Sequence, residues 1–369
     1  MLRDDETSLR IEILRFPLIV GVVFLHNYDT TVPLAQGLVG VAHNSIWVEF
    51  VRFFISRGVA AIAVPLFFAV SGYLFFLGEW SREKFFGKLK RRLRTLLIPF
   101  LFWNVLTLAV FAIAESIPQT QIYFAGSVWP PVRSFSRLDY VNALFGITAK
   151  FPVAFQFWFI RDLMALVLLA PATHFLLARR SALPFILALF GLWFSTVWPI
   201  LWPSVEASFF FCLGAYLAWP GKSVTYLDKF GPWIFSVFLG LLILHSALPD
   251  RLPYLHKVVI AFGVPTLWWL TGPAVRMAKL KSLLIKLSSA SFFVFAAHEP
   301  LLMIIRKVLY KQLLPTGGAA ILALYFSIPI CLLLFLVLTH RCLLKIVPSF
   351  VGFISGSSYR PHISALEAR

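Results

Sequence analysis

Ten stretches of mostly apolar residues dominate this chain, near 11–28, 58–77, 95–115, 157–177, 183–201, 204–219, 231–247, 254–272, 288–305 and 319–340. Most are about 17–25 residues long, the length a helix needs to cross the hydrocarbon core of a bilayer; the sixth is shorter. An amide inside hydrocarbon has no water to bond, so runs of this kind satisfy their backbone only as helices. The expected fold is all-α, a polytopic membrane helical bundle of about ten transmembrane helices over residues 1–345, with a short cytoplasmic tail over 346–369. Hydrophobic residues make up 60% of the 369 and charged ones 13%, with a mean hydropathy of +0.84, which excludes a soluble domain of this size.

Lys and Arg outnumber Asp and Glu by 33 to 16, a net charge of +17. On one soluble face that excess would suggest nucleic acid. Here the cations fall in short clusters between apolar runs, the pattern of loops retained in the cytoplasm, so the expected partner is the lipid bilayer and no nucleic acid is expected. With the N-terminus cytoplasmic, 21 cations fall on that side and 11 on the other, so both termini are expected to be cytoplasmic. The largest contribution is the loop 78–94, with Arg82, Lys84, Lys88, Lys90, Arg91, Arg92 and Arg94. Cys212, Cys331 and Cys342 show no CxxC spacing and no histidine partner. Neither a disulfide framework nor a metal site is expected. The first apolar run lacks a small-residue cleavage site and reads as an uncleaved first span.

That first span holds Glu12, Arg15 and His26 in or beside apolar helix, where ionisable groups are costly and therefore informative. At about 100° per residue, the three steps from Glu12 to Arg15 and the eleven from Arg15 to His26 bring all three onto one face. A rise of about 1.5 Å per residue separates Arg15 from His26 by roughly 16 Å, with Pro17 as a kink between them. Glu12 and Arg15 also read as an i,i+3 ion pair snorkelling at the interface. His26 reads either as a helix-end hydrogen-bonding group or as a general base suited to neutral pH. Asp29, three residues on, stands where it would orient the ring.

Several patterns recur in order along residues 10–300. Arg15 and His26 form R-X10-H, with Glu12 where an Asp is common. Phe67-Phe68-Ala-Val-Ser71-Gly72-Tyr73 is an aromatic run ending in Ser-Gly-Tyr, and Arg91 and Arg94 form R-X-X-R ahead of Pro99. Phe157-Trp158-Phe159 opens the fourth span, and Ser291 through His298-Glu299-Pro300 gives a late Ser…His-x-Pro. Taken together these resemble the acyltransferase 3 family of membrane O-acyltransferases. The resemblance implies transfer of an acyl group, usually acetyl, from cytoplasmic acyl-CoA (acetyl-CoA as donor substrate) to a hydroxyl of a glycan or lipid-linked sugar at the outer face of a bacterial inner membrane. In that setting His26 is general base or transient acyl carrier, with Glu12 and Arg15 in the same catalytic set. Arg15, Arg91 and Arg94 would meet the CoA phosphates, which guanidinium forks pair bidentately.

Other residues carry two readings each. The Arg91–Arg94 run is also a topology-setting loop. Ser71 and Tyr73 border the donor path or permit close helix packing. Arg161 and Asp162 are an ion pair or an acceptor contact, and His298 and Glu299 are an intramembrane site or an interhelical hydrogen bond. Trp158, Trp129 and Trp47 are belt residues or sugar-stacking rings. His174, His245, His256 and His340 read as packing or interfacial histidines. Outside acyl transfer, a secondary transporter or glycan flippase would use Glu12, Arg15 and His26 as a proton relay. A structural subunit of an export complex would make no demand on His26.

Overall fold

The structure, a computed structural model, describes residues 2–179, 181–220, 223–249 and 251–356, with side chains from residue 6 onward. The loop cations Arg180 and Lys222 and residues 357–369 of the expected tail lie outside them. The first helix, α1 (Leu2–His26), leads into a hairpin of β1 (Thr31–Leu34) and β2 (Gly37–Gly40). A continuous helical stretch then begins as α2 (Ile46–Arg52), loosens through a π segment at Phe53–Val59, tightens at Ala60–Ile62, and proceeds as α3 (Ala63–Phe76). Next come α4 (Arg82–Arg92) and, through a π turn at Leu93–Leu97, α5 (Ile98–Ser116). α6 (Arg137–Phe145) precedes α7 (Trp158–Leu168) and α8 (Ala170–Leu177), which are bent by 59°. α9 (Ala182–Ser195), α10 (Val205–Leu217), α11 (Gly231–Ala247) and α12 (Leu255–Arg276) follow. α13 (Ala278–Ser288) and α14 (Ser291–Leu313) form a second pair, bent by 62°. The described chain closes with α15 (Gly318–Ile346) and α16 (Pro348–Ser355).

This is an all-α membrane architecture, and the apolar stretches fall mostly on helix, the fifth leaving it after Ser195. Among the described residues five helices are long and apolar enough to cross a membrane, seven if each bent pair is one span. α1 is set apart by Arg10, Glu12 and Arg15, and α9 and α10 have 14 and 13 residues. Between the first two apolar stretches Thr31–Leu34 pairs antiparallel with Gly37–Gly40, because Val32 and Leu34 alternate inward against the bundle at the period of a strand. The cationic segment expected as loop 78–94 is mostly helix, capped by the Ser81 hydroxyl at the Lys84 amide and continuous with α5.

α1 runs through the middle of the bundle, against α3, α12, α13 and α14. Ile13, Leu18, Val22 and Val23 are buried along it. At its start the buried Arg10 guanidinium is held by Glu6 at 2.7 Å and by Asp228 at 2.6 Å, which ties α1 to the turn before α11. α3 and α10 cross in near backbone contact. A Cβ on Gly72 would lie 2.0 Å from the Phe211 carbonyl oxygen, and one on Gly214 would lie 1.9 Å from that of Ala69. Small residues at such a crossing are how membrane helices gain packing where no hydrophobic drive separates them from lipid. Gly72 of the Ser-Gly-Tyr run thus answers to packing.

The start of α7 is pinned by polar groups. Arg161 and Asp162 are both buried; Arg161 Nη2 lies 3.1 Å from Asp162 Oδ1, and Arg161 Nη1 donates to the Gly146 carbonyl at 2.8 Å. The other Asp162 oxygen accepts from the Ser204 amide ahead of α10 at 2.8 Å. At the far end, the Trp103 indole on α5 donates to the Ile354 carbonyl at 3.0 Å, so α16 is packed into the bundle.

Replacing Gly214 or Gly72 by Ala should lower the thermal midpoint of the detergent-solubilised protein by the equivalent of about 1–3 kcal/mol, the usual cost of overpacking. Gly191→Ala, where an added Cβ meets nothing within 4 Å, should leave the midpoint unchanged. Asp162→Ala strands a buried guanidinium and should cost roughly 3–5 kcal/mol, seen as loss of monodisperse protein on size exclusion.

Candidate active site

Two cavities approach each other end to end along α1. The inner one, ≈ 610 Å³, runs along one face of that helix, lined by Glu12, Arg15, Leu18, Ile19, Val22 and His26. The helical spacing therefore brings the three ionisable residues onto a single wall, and Pro17 within the helix does not break that alignment. Among the described residues Glu12 and Arg15 form no ion pair; both open onto the cavity. Ser71 and Trp158 line the same space, as do Arg92 and His340. Tyr73 lines neither cavity and belongs to the α3–α10 crossing.

Beside the inner cavity lies a groove of ≈ 680 Å³ between α4 and α16, lined by Lys90, Arg91 and Arg94. Thr95 and Gly356 belong to both spaces. Arg91 and Arg94, three residues apart, share the groove face of the helix, while Arg92, about 100° round, joins Arg15 inside the cavity. One run of cations thus serves two connected compartments.

The outer cavity, ≈ 700 Å³, begins past the end of α1, where Trp129, Lys150, Asn142, Glu299 and Arg306 line it. Asp139 lines it too, but its carboxylate caps α6: the Ser136 hydroxyl and amide donate to it at 2.7 and 2.8 Å, which holds it below the usual carboxylate range. Asp29 does not orient His26; it faces Arg306 at 3.6 Å, and Arg306 Nη1 donates to the His26 carbonyl at 3.3 Å. Trp47 is exposed and outside both cavities.

Among the described residues Gln156 alone lines both cavities, and the wall between them is built around it. α14 departs from helical geometry at Glu299, and Pro300 has no N–H to give the Ala296 carbonyl. Gln156 Nε2 takes that carbonyl at 3.0 Å and the Glu299 carbonyl at 3.0 Å. His298, fully buried, lies 2.7 Å through Nδ1 from the Phe295 carbonyl. A carbonyl only accepts, so Nδ1 carries the proton and Nε2 is left as a bare acceptor. The His26 ring stacks on His298 at 5.4 Å between centroids and meets the edge of Phe155 at 4.8 Å. Two histidines, a phenylalanine and a glutamine amide close the junction.

Of the residues singled out in the sequence, Glu12, Arg15, His26, Ser71 and Trp158 meet in the inner cavity, and Arg91 and Arg94 in the adjoining groove. Glu299 faces the outer cavity, and His298 supports the wall. Arg161 and Asp162 line neither cavity and are held by protein partners. Nothing in the sequence pattern marks Gln156, Arg92 or Arg306 as site residues, and His340, expected as a packing or interfacial histidine, lines the inner cavity. Among the described residues no three His, Cys, Asp or Glu side chains converge to hold a metal ion.

Residues 8–340 match the family model described as an acyltransferase domain. The chain is 26% identical over 365 residues to the succinoglycan biosynthesis protein ExoH of Rhizobium meliloti (strain 1021), covering 96% of this chain and 93% of that protein. No solved structure matches. With a family match spanning both cavities and the wall between them, this multi-pass membrane protein belongs to the acyltransferase 3 family.

Proposed function

We propose that the protein transfers an acyl group, acetyl in the first instance, from acyl-CoA on the cytoplasmic side of a bacterial inner membrane to a hydroxyl of a surface or lipid-linked glycan on the other side. The observation that carries this reading is that two cavities meet at a wall formed by Gln156, with the His26 imidazole lining the inner cavity and stacked against His298 in that wall. Lys90, Arg91 and Arg94 in the groove, with Arg15 and Arg92 in the inner cavity, suit the phosphates of CoA, and the apolar walls of that cavity suit its pantetheine arm. Both chain ends belong on this cytoplasmic side. A relative named for succinoglycan biosynthesis supports a glycan as acceptor, for which Trp129 supplies a stacking face and Asn142, Glu299 and Lys150 supply polar contacts.

The His26 ring lines the inner cavity and its contacts within the protein are with the rings of Phe155 and His298, which leaves the imidazole to act as base. It removes the hydroxyl proton as the oxygen attacks the thioester carbonyl. The tetrahedral intermediate then collapses, the C–S bond breaks, and the departing thiolate takes the proton back from His26. CoA-SH leaves through the inner cavity and the ester through the outer one. Glu12 and Arg15 act on the donor side of this step.

Inside-out vesicles given radiolabelled acetyl-CoA test the reading. Wild type should label a glycan or lipid-linked fraction, and His26→Ala at matched expression should lower labelling by about 10²–10⁴-fold, the range of general-base catalysis. Equal labelling by both would remove His26 from the chemistry. No labelling by either, with acetyl-CoA binding also absent, would remove acyl transfer. Arg91→Ala and Arg94→Ala should each raise the KM for acetyl-CoA roughly tenfold with little change in kcat, as expected for a lost charge-assisted hydrogen bond of about 1.5–3 kcal/mol.

A further inference from the structure

The wall between the cavities holds two acceptor atoms without a donor. Gln156 is only 2% exposed, and both hydrogens of its amide go to the carbonyls of Ala296 and Glu299. Those carbonyls only accept, so the amide cannot be turned round, and Oε1 is fixed as the free end. Among the described residues nothing donates to Gln156 Oε1, nor to Nε2 of His298. A buried acceptor left this way is expensive, and the other hydrogen bonds of both side chains keep it from turning toward a donor elsewhere.

This inference rests on the acyl-transfer reading. The reacting hydroxyl has one proton, and His26 takes it, so that hydroxyl cannot also donate to Gln156. We propose that Gln156 Oε1 accepts a hydrogen bond from a second O–H or N–H group of the acceptor, next to the hydroxyl that is acylated. Gln156 is then a substrate-orienting residue, and the acceptor class is a sugar carrying a neighbouring hydroxyl or amide rather than an isolated alcohol. Its position supports the acceptor as the source of that donor. The amide is held by the carbonyls at the break of α14, next to the Glu299 side chain, and Glu299 lines the outer cavity only. Arrival of the second donor satisfies an atom that the closed wall leaves unpaired, so acceptor binding and opening of the wall favour one another.

Two variants separate the parts of this arrangement. Gln156→Leu removes donors and acceptor alike. Gln156→Lys keeps N–H donors for the carbonyls of Ala296 and Glu299 and removes the acceptor, while adding a longer side chain and a charge. Full-length detergent-solubilised protein is assayed with radiolabelled acetyl-CoA and a titrated lipid and glycan extract of the source cells. Both variants should need about tenfold more extract for half-saturation, while half-saturation by acetyl-CoA stays within about twofold of wild type. Unchanged extract dependence in Gln156→Lys, with His26→Ala inactive in the same assay, would overturn the role of Gln156 and leave acyl transfer standing. A rise in the acetyl-CoA requirement instead would assign the Gln156 contact to the donor and overturn the proposal. Absence of transfer by wild type would overturn the acyl-transfer reading and this inference with it.

Discussion

A helix that breaks inside an apolar bundle exposes carbonyls that hydrocarbon cannot satisfy, and α14 breaks at Glu299–Pro300. Each orphaned group would cost about 1–3 kcal/mol. The chain meets this by bringing two polar side chains to the break: the Gln156 amide spans the carbonyls of Ala296 and Glu299, and the His298 ring takes that of Phe295. His26 stacks on the ring so fixed. The groups that form the wall between the cavities are therefore oriented by the same hydrogen bonds that make the break tolerable. Rigidity at the junction and integrity of α14 have one physical origin.

Electrostatics is organised in a similar way on the other side of the wall. Like charges three or four residues apart on a helix repel by a few tenths of a kcal/mol per pair, so Lys90, Arg91, Arg92 and Arg94 are not there to stabilise α4. They divide instead between a groove and a cavity that share Thr95 and Gly356, with Arg15 approaching from α1. Under the proposed reaction an extended polyanion with a long neutral arm suits that layout, its charge among the cations and its arm along Leu18, Ile19 and Val22 toward His26. α16 lines both spaces, giving Val351 and Ser355 to the cavity and Ser349, Gly352 and Phe353 to the groove.

Periodicity in a single helix was enough to find the inner wall, since Glu12, Arg15 and His26 sit at helical spacing and a mid-helix proline leaves their common face intact. Likewise the paired arginines at 91 and 94 announced the groove, though as a loop, because a dense run of cations hides the helical continuity into α5. What local pattern cannot carry is a partner far along the chain. Gln156 looks like an ordinary polar residue before Phe-Trp-Phe; its meaning comes from carbonyls 140 and 143 residues later. Arg161 and Asp162 were visible as neighbours, but only the Gly146 carbonyl and the Ser204 amide reveal them as a brace. The hairpin at 31–40 is too short for its period to rise above the apolar background.

A catalyst with donor and acceptor on opposite faces of a membrane has to let a thioester meet a hydroxyl without opening a water path between them. The wall here is one side chain thick at Gln156, and the rings of His26, His298 and Phe155 fill the rest. Water admitted to such a junction would compete as a nucleophile and hydrolyse the donor; its exclusion also strengthens each polar contact made there. The sealed Gln156 and His298 acceptors bear on this choice. A single water can donate to one or two of them but brings no sugar ring to fill the outer cavity behind it. An acceptor with adjacent donors supplies both at once. Under the proposed reaction, discrimination against water and selection of the acceptor are then the same event, set by how many donors reach the wall together.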